Sequence, residues 1–164
     1  MDLDRLRDGE RLLNQARFEE ALECFAAAEG NDPRALFGSA VARQMLGRFE
    51  EAESRYERLL AAHPAHEEAL ANLLAMSVER FDLDRVESYS QRLLAANPAS
   101  MAALQGLVIV AVERRQLETA AQYFRRIVAE PRLADGDGDA IEYRLSRETV
   151  ERLRSFYGAV ADSY

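Results

Sequence analysis

Read as apolar and polar positions, most of the chain follows a helical period that is broken at regular intervals. Leu70, Leu73 and Leu74, with Ser77 next, fall on one face of a helix, as do Leu104, Leu107, Val108 and Ala111. Short turns such as Leu46-Gly47-Arg48 split each stretch into two helices. The stretches are copies of one another. Phe18-Glu19-Glu20-Ala21 is followed four residues after its alanine by Phe25, and Phe49-Glu50-Glu51-Ala52 at the same distance by Tyr56, the two alanines being 31 residues apart. Less exact copies are Leu83-Asp84-Arg85-Val86 and Leu117-Glu118-Thr119-Ala120, the latter again followed by an aromatic, Phe124. The chain's 4 prolines, Pro33, Pro64, Pro98 and Pro131, recur at spacings of 31, 34 and 33 residues. Proline cannot continue a helix interior, so it marks the same boundary each time. The pattern predicts four helix pairs, over about 2–33, 34–64, 65–98 and 99–131.

These residues resemble the tetratricopeptide repeat, a helix-turn-helix unit of about 34 residues with a small residue in helix A, an alanine and then an aromatic in helix B, and a closing proline. Gly9 and Ala40 match the small position, Ala21, Ala52 and Ala120 the alanine, and Phe25, Tyr56 and Phe124 the aromatic. The resemblance covers residues 3 to about 131. It implies an all-α fold, a right-handed α-α solenoid of four helix pairs. The chain departs from the family pattern in having no tryptophan, and Leu36, Leu70 and Leu104 stand where the family often has an aromatic. The third unit carries Val86 and Ser90 at its alanine and aromatic places. The first has Arg5 and Asp8 where core residues are expected, which suits an end repeat with a solvated outer face.

One helix pair cannot bury enough surface to offset roughly 1 kcal/mol or more of backbone entropy per ordered residue, so each unit depends on its neighbours. Stacking them creates an extended concave face, which the resemblance lines with the exposed side of the A helices and makes the binding surface. By register this groove should hold Phe37, Val41, Gln44 and Met45, then Glu68, Ala71, Asn72, Ala75, Val78 and Glu79, then Gln105, Ile109, Val112 and Glu113. That set is apolar in the middle and acidic toward one edge. It complements a protein or peptide with apolar anchors and a basic flank. Some family members grip acidic chaperone tails with lysine, asparagine and arginine on successive A helices. Here Leu6, Glu10, Gly38, Glu68 and Asn72 stand at the corresponding places, and Glu68 would repel a ligand carboxylate.

Composition narrows the function further. With 29 acidic residues against 21 basic ones the formal charge is -8, a field that repels phosphate backbones and argues against nucleic acid as partner. Every basic residue is arginine, which removes Schiff-base chemistry and the phosphate-gripping lysine of P-loops. The single cysteine, Cys24, excludes an internal disulfide and a cysteine-rich metal site, in keeping with a reducing compartment. The start, MDLDRLRDGE, lacks a basic end followed by an apolar run, and no stretch of about 18 uncharged apolar residues follows. The expectation is a cytoplasmic protein with no membrane segment and no cofactor, and self-association is left open.

Candidate chemistry is sparse. His63 and His66 are the only histidines and make a poor metal site without further ligands, so they read as solvated residues at a repeat boundary. Cys24 beside Phe25 reads as a small helix residue. Glu19-Glu20 and Glu50-Glu51 recur at helix-B starts, where negative charge favours the helix dipole. Asp135-Gly136-Asp137-Gly138-Asp139 opens like a calcium loop, but Ala140 and Ser146 stand where glycine and a bidentate glutamate are needed, so residues 132–145 read as an acidic Gly/Asp loop. From Ser146, residues 146–164 predict a C-terminal capping helix with Val150, Leu153, Phe156 or Tyr157, and Val160 on one side.

The function expected from the sequence is a protein-protein interaction module, not an enzyme. Two alternatives stand beside it. Residues 155–164 resemble the lead-in to class I methyltransferase domains, which would make the chain the recognition half of a larger enzyme, and Gly38 through Gly47 resembles the second repeat of bacterial secretion chaperones.

Overall fold

The computed structural model describes residues 2–27 and 32–129. They form eight helices: α1 (Asp2–Asn14), α2 (Phe18–Ala27), α3 (Pro33–Met45), α4 (Phe49–Ala62), α5 (Glu67–Glu79), α6 (Leu83–Ala96), α7 (Met101–Glu113) and α8 (Leu117–Ala129). Among the described residues there is no strand. Odd-numbered helices are the A helices and even-numbered ones the B helices. Each A helix packs on its own B helix, and α2, α4 and α6 pack in turn on the A helix of the next pair. This is the all-α solenoid of four pairs that the sequence implied. The chain divides after Glu130, and the loop expected over 132–145 and the capping helix expected over 146–164 lie outside the described residues.

The four A–B turns are made the same way. The A helix ends on a residue with positive φ: Ala16 (57°), Gly47 (75°), Phe81 (56°) and Arg115 (57°). In every case two backbone N–H groups then reach back into the last turn. The Gly47 N–H donates to the Gln44 carbonyl at 3.0 Å and the Arg48 N–H to that of Arg43 at 2.8 Å, and Phe81 and Asp82 repeat this on Val78 and Ser77. The pattern satisfies helix carbonyls that would otherwise be orphaned, but a left-handed residue other than glycine costs roughly 1–2 kcal/mol. Only Gly47 escapes that cost.

Between pairs, proline does the work in two places. In His63-Pro64-Ala65-His66 and Asn97-Pro98-Ala99-Ser100 the fourth N–H donates to the first carbonyl, at 3.1 and 3.0 Å, with proline in the second position whose φ it presets. Pro33 behaves differently. It is the first residue of α3, where its missing N–H costs nothing, and the Asp32 carboxylate caps the helix by accepting from the Arg34 N–H at 2.8 Å. Pro131 lies outside the described residues.

The core lies between helices, under the B-helix repeat positions. Phe25 and Tyr56, with Ala21 and Ala52 one turn before them, are fully buried. Leu36, Leu70 and Leu104 fill the places of the missing aromatics and are buried too, while Arg5 and Asp8 are exposed. Phe25 lies between two A helices. A Cβ added at Gly9 of α1 would meet its ring at 2.7 Å, and one added at Gly38 of α3 at 2.3 Å. Glycine at both places is what lets the ring in.

Along the A–B turn edge, arginines join successive units. Arg48 donates to Glu19 at 2.6 Å, Arg80 contacts Glu50 and Glu53 at 3.4 Å, and Arg114 meets Glu87 at 2.6 Å and Asp84 at 2.7 Å. The acidic residues at helix-B starts thus serve twice, favouring the helix dipole and receiving a cation from the next unit. This accounts for Glu19 and Glu50 without catalysis.

Two buried phenols make the fold sensitive to alkali. Burial pushes Tyr89 up to about 12, helped by the Glu57 carboxylate that accepts its proton at 2.6 Å. Burial also raises Tyr56 above its ordinary value, against the hydrogen bond from Asn72. In the unfolded chain both phenols ionise near the ordinary value of 10.0. Their contribution is therefore intact below that pH and is lost as pH rises from about 10 toward 12. Denaturant melts across this window should show stability falling with pH, and Tyr89→Phe should flatten the slope. An unchanged slope would mean that Tyr89 titrates alike in both states.

Candidate functional site

A groove of about 930 Å3 opens on the A-helix side of the first three pairs. Leu13, Phe37, Gly38 and Val41 line it from α1 and α3, and the turn from Ala62 to His66 closes the far side. Phe37 is its aromatic platform. Its ring stacks on His66 (centroids 5.2 Å, planes 28° apart) and tilts against Tyr56 at 5.9 Å. His66 is half-buried, and its Nδ1 accepts the Ala69 N–H at 3.3 Å, capping α5. It is therefore a built part of the groove wall, which corrects the expectation of a solvated boundary residue; His63 is exposed.

Charge is distributed unevenly around this groove. Arg34 grips Glu10 with both ends of its guanidinium, at 2.6, 2.7 and 2.9 Å, and the Glu10 carboxylate holds Arg34 above its ordinary pKa. That pair cancels. Glu68 is well exposed with its Oε2 3.3 Å from His66 Nδ1, and Glu79 and Glu113 are exposed at the C-terminal ends of α5 and α7. The net field over the face is negative.

Deeper in the A-helix face runs a polar chain between α3 and α5. The Tyr56 hydroxyl donates to Gln44 Oε1 at 2.9 Å and accepts from Asn72 Nδ2 at 2.9 Å. This fixes how both amides point. The Gln44 amide nitrogen keeps its two donors and the Asn72 amide oxygen keeps its acceptor capacity, and both side chains are half-buried.

Of the residues expected in the groove, Phe37, Val41 and Glu68 line this recess, and Ala71 lines a shallower one of about 500 Å3 beside it, bounded by His66, Leu93 and Ser100. Gln44 and Asn72 meet on Tyr56. Ala75 is buried and faces packing instead. Val78, Gln105, Ile109 and Val112 are half-buried and Met45 is exposed, but none lines either recess. Leu13 and Arg34 were not expected there, and Glu10 was placed only at a position corresponding to the family's carboxylate clamp. The 31-residue register that carries Val41 back to Glu10 and Gln44 back to Leu13 contained the signal. Nothing comparable in the sequence announces the His66 stack. Cys24 is half-buried at the smaller core cluster around Phe25.

Residues 34–66 match one family model and residues 86–137 another, each described as a tetratricopeptide repeat; together they take in more than half of the chain. The chain belongs to the tetratricopeptide repeat family. Its A and B helices pair as the two helices of tetratricopeptide units. Solved structures carry the same fold. MamA matches with a TM-score of 0.70 at 15% identity, over 77% of this chain and 76% of that one. A MamA fragment from Desulfovibrio magneticus RS-1 matches at 0.69 and 21% identity, over 98% and 93%. The first tetratricopeptide domain of Spaghetti (RPAP3), bound to the HSP90 peptide SRMEEVD, matches at 0.62 and 20% identity, over 70% and 93%. No curated protein sequence matches the chain. Among the described residues no helix is long and apolar enough to cross a membrane.

Proposed function

We propose that the chain is a protein-interaction module that holds a peptide segment of a partner in the groove of the first three tetratricopeptide units. The observation that carries this reading is the groove itself, an open recess of about 930 Å3 floored by Phe37, Val41 and Leu13. A concave recess of this volume, mostly apolar with a few polar groups at its rim, is the usual form of a binding site. A similar fold, that of the Spaghetti domain, is seen with a peptide bound, which supports the class of ligand. It does not transfer the ligand itself, whose acidic end would meet Glu68 here.

The partner that fits is a segment with one or two apolar side chains and an arginine or lysine flank. Apolar atoms cover Phe37 and Val41, and the basic flank meets the exposed carboxylate of Glu68. The free donors of Gln44 and free acceptor of Asn72 suit the carbonyl and N–H of a peptide backbone. The role is affinity, with no bond made or broken.

The test is selection of a displayed library of random dodecapeptides on the folded chain, followed by titration of the winners. Selected peptides should be rich in arginine or lysine beside apolar residues. Val41→Arg on the groove floor and Glu68→Arg on its rim should each weaken them at least tenfold, about 1.4 kcal/mol, with the helical circular dichroism unchanged. Winners that bind both variants as well as the parent would sink the proposal.

A further inference from the structure

The A–B turn of the third unit holds a residue that neither backbone nor burial explains. Phe81 has φ 56°, in the left-handed region where a bulky side chain is a genuine outlier. The equivalent positions are Ala16, Gly47 and Arg115 in the other units, so Phe81 is the one large apolar side chain held in this conformation among the described turns. A phenylalanine normally offsets such a cost by burial, yet this one is 60% exposed. The turn would be more stable, and more soluble, with glycine there.

The neighbourhood says what that ring could meet. Phe49, at the start of α4, is 38% exposed, and the guanidinium of Arg80 lies 5.7 Å from its ring centroid. Phe49 and the turn that carries Arg80 and Phe81 thus lie on the same A–B turn edge, joined through the Arg80 guanidinium over the Phe49 ring. Arg80 is already held by Glu50 and Glu53, and Arg85 by Glu53 and Asp82. Glu50 and Asp84 keep most of their surface in water, and Glu79 is exposed as well. The edge therefore offers open aromatic surface inside an excess of carboxylates, with its arginines engaged. An aromatic face attracts a guanidinium or ammonium, and surrounding carboxylates strengthen that attraction.

We propose that Phe81 and Phe49 form a second docking surface, for an arginine- or lysine-bearing segment of a partner protein, at the opposite end of α5 from the groove. Along α5 the groove's Glu68 and Phe81 stand 13 residues apart, or about 20 Å. They are therefore separable by mutation. The strain at Phe81 is retained because the ring works outside the chain, as strained residues do at functional sites.

The experiment uses the full chain carrying Val41→Arg, which blocks the groove, so that failure of the groove reading leaves this one testable. The same displayed dodecapeptides are selected on it, and the winners are titrated against the same protein with Phe81→Gly added. Expected are peptides rich in arginine or lysine whose affinity falls at least tenfold with Phe81→Gly and weakens with salt, while the melting temperature rises by a few degrees because the turn is relieved. Failure to select basic peptides on the groove-blocked chain, or winners that Phe81→Gly leaves untouched, would overturn the proposal. So would sedimentation showing that the chain alone self-associates through this edge and that Phe81→Gly abolishes it, since the occupant would then be a second copy.

Discussion

Phe25→Ala is expected to cost the fold about 3–5 kcal/mol, the range for removing a fully buried phenylalanine that its surroundings cannot collapse upon. The surroundings here are two backbones. The ring lies against Gly9 on α1 and Gly38 on α3, and no side chain at either position can swing in to refill the space. Phe25 is also the largest member of the smaller core cluster, with Leu6, Leu12, Ala21 and Ala35 around it, so little else holds the first unit to the second. Denaturant melts should show the loss, and hydrogen exchange should show α1 and α2 opening before the larger cluster around Tyr56 and Leu70. A cost below about 1 kcal/mol would mean that the ring is not the wedge described. The converse change carries the same argument. Gly38→Ala places a Cβ at 2.3 Å from the ring and should also destabilise, whereas in a Phe25→Leu background its cost should shrink, a coupling that independent sites would not show.

The repeat that places Phe25 was legible because its chemistry is local. Proline, alanine and aromatic recur at fixed offsets, and each enforces a boundary, a close approach or a buried wedge wherever it stands. Leu36, Leu70 and Leu104 were readable as substitutes because a buried apolar side chain at helix spacing needs only volume. The site was legible in part. Register alone put Phe37, Val41 and Ala71 at recesses, whereas Ala75, expected beside them, is buried. Register tells which face of a helix a residue occupies, and not how far the next helix reaches across it. His66 was unreadable for another reason. Its role depends on a ring 29 positions earlier meeting it across the groove, and on its Nδ1 replacing a serine or aspartate as cap. Phe81 was passed over because the left-handed turn, plain at Gly47, is disguised when phenylalanine occupies it.

The third unit supplies a prediction in which family pattern and structure disagree. Tetratricopeptide units place an aromatic where this unit has Ser90, and substitutions toward a family's usual residue commonly stabilise. On that argument Ser90→Phe should strengthen the fold. The geometry says the reverse. The helix α7 has closed on the small residue: a Cβ at Gly106 would lie 2.3 Å from Ser90 Oγ, with Leu74 and Val86 at 3.2 and 3.4 Å. Ser90 itself is completely buried. A phenyl ring there must drive α6 and α7 apart, and overpacking of that kind should cost about 3 kcal/mol or prevent the pair from forming. The smaller change runs the other way. The buried serines Ser39 and Ser77 donate to the carbonyls of Leu36 and Leu73, at 3.1 and 2.7 Å, whereas Ser90 Oγ is buried without a hydrogen-bond partner among the described residues. Removing an unsatisfied hydroxyl from an apolar site relieves a desolvation penalty, so Ser90→Ala should stabilise by about 1 kcal/mol. Thermal melts should therefore rank alanine above the natural serine and serine above phenylalanine. A phenylalanine variant that melts above the natural chain would show that α7 can step back, and that the close approach at Gly106 is not what fixes the spacing of the third and fourth units.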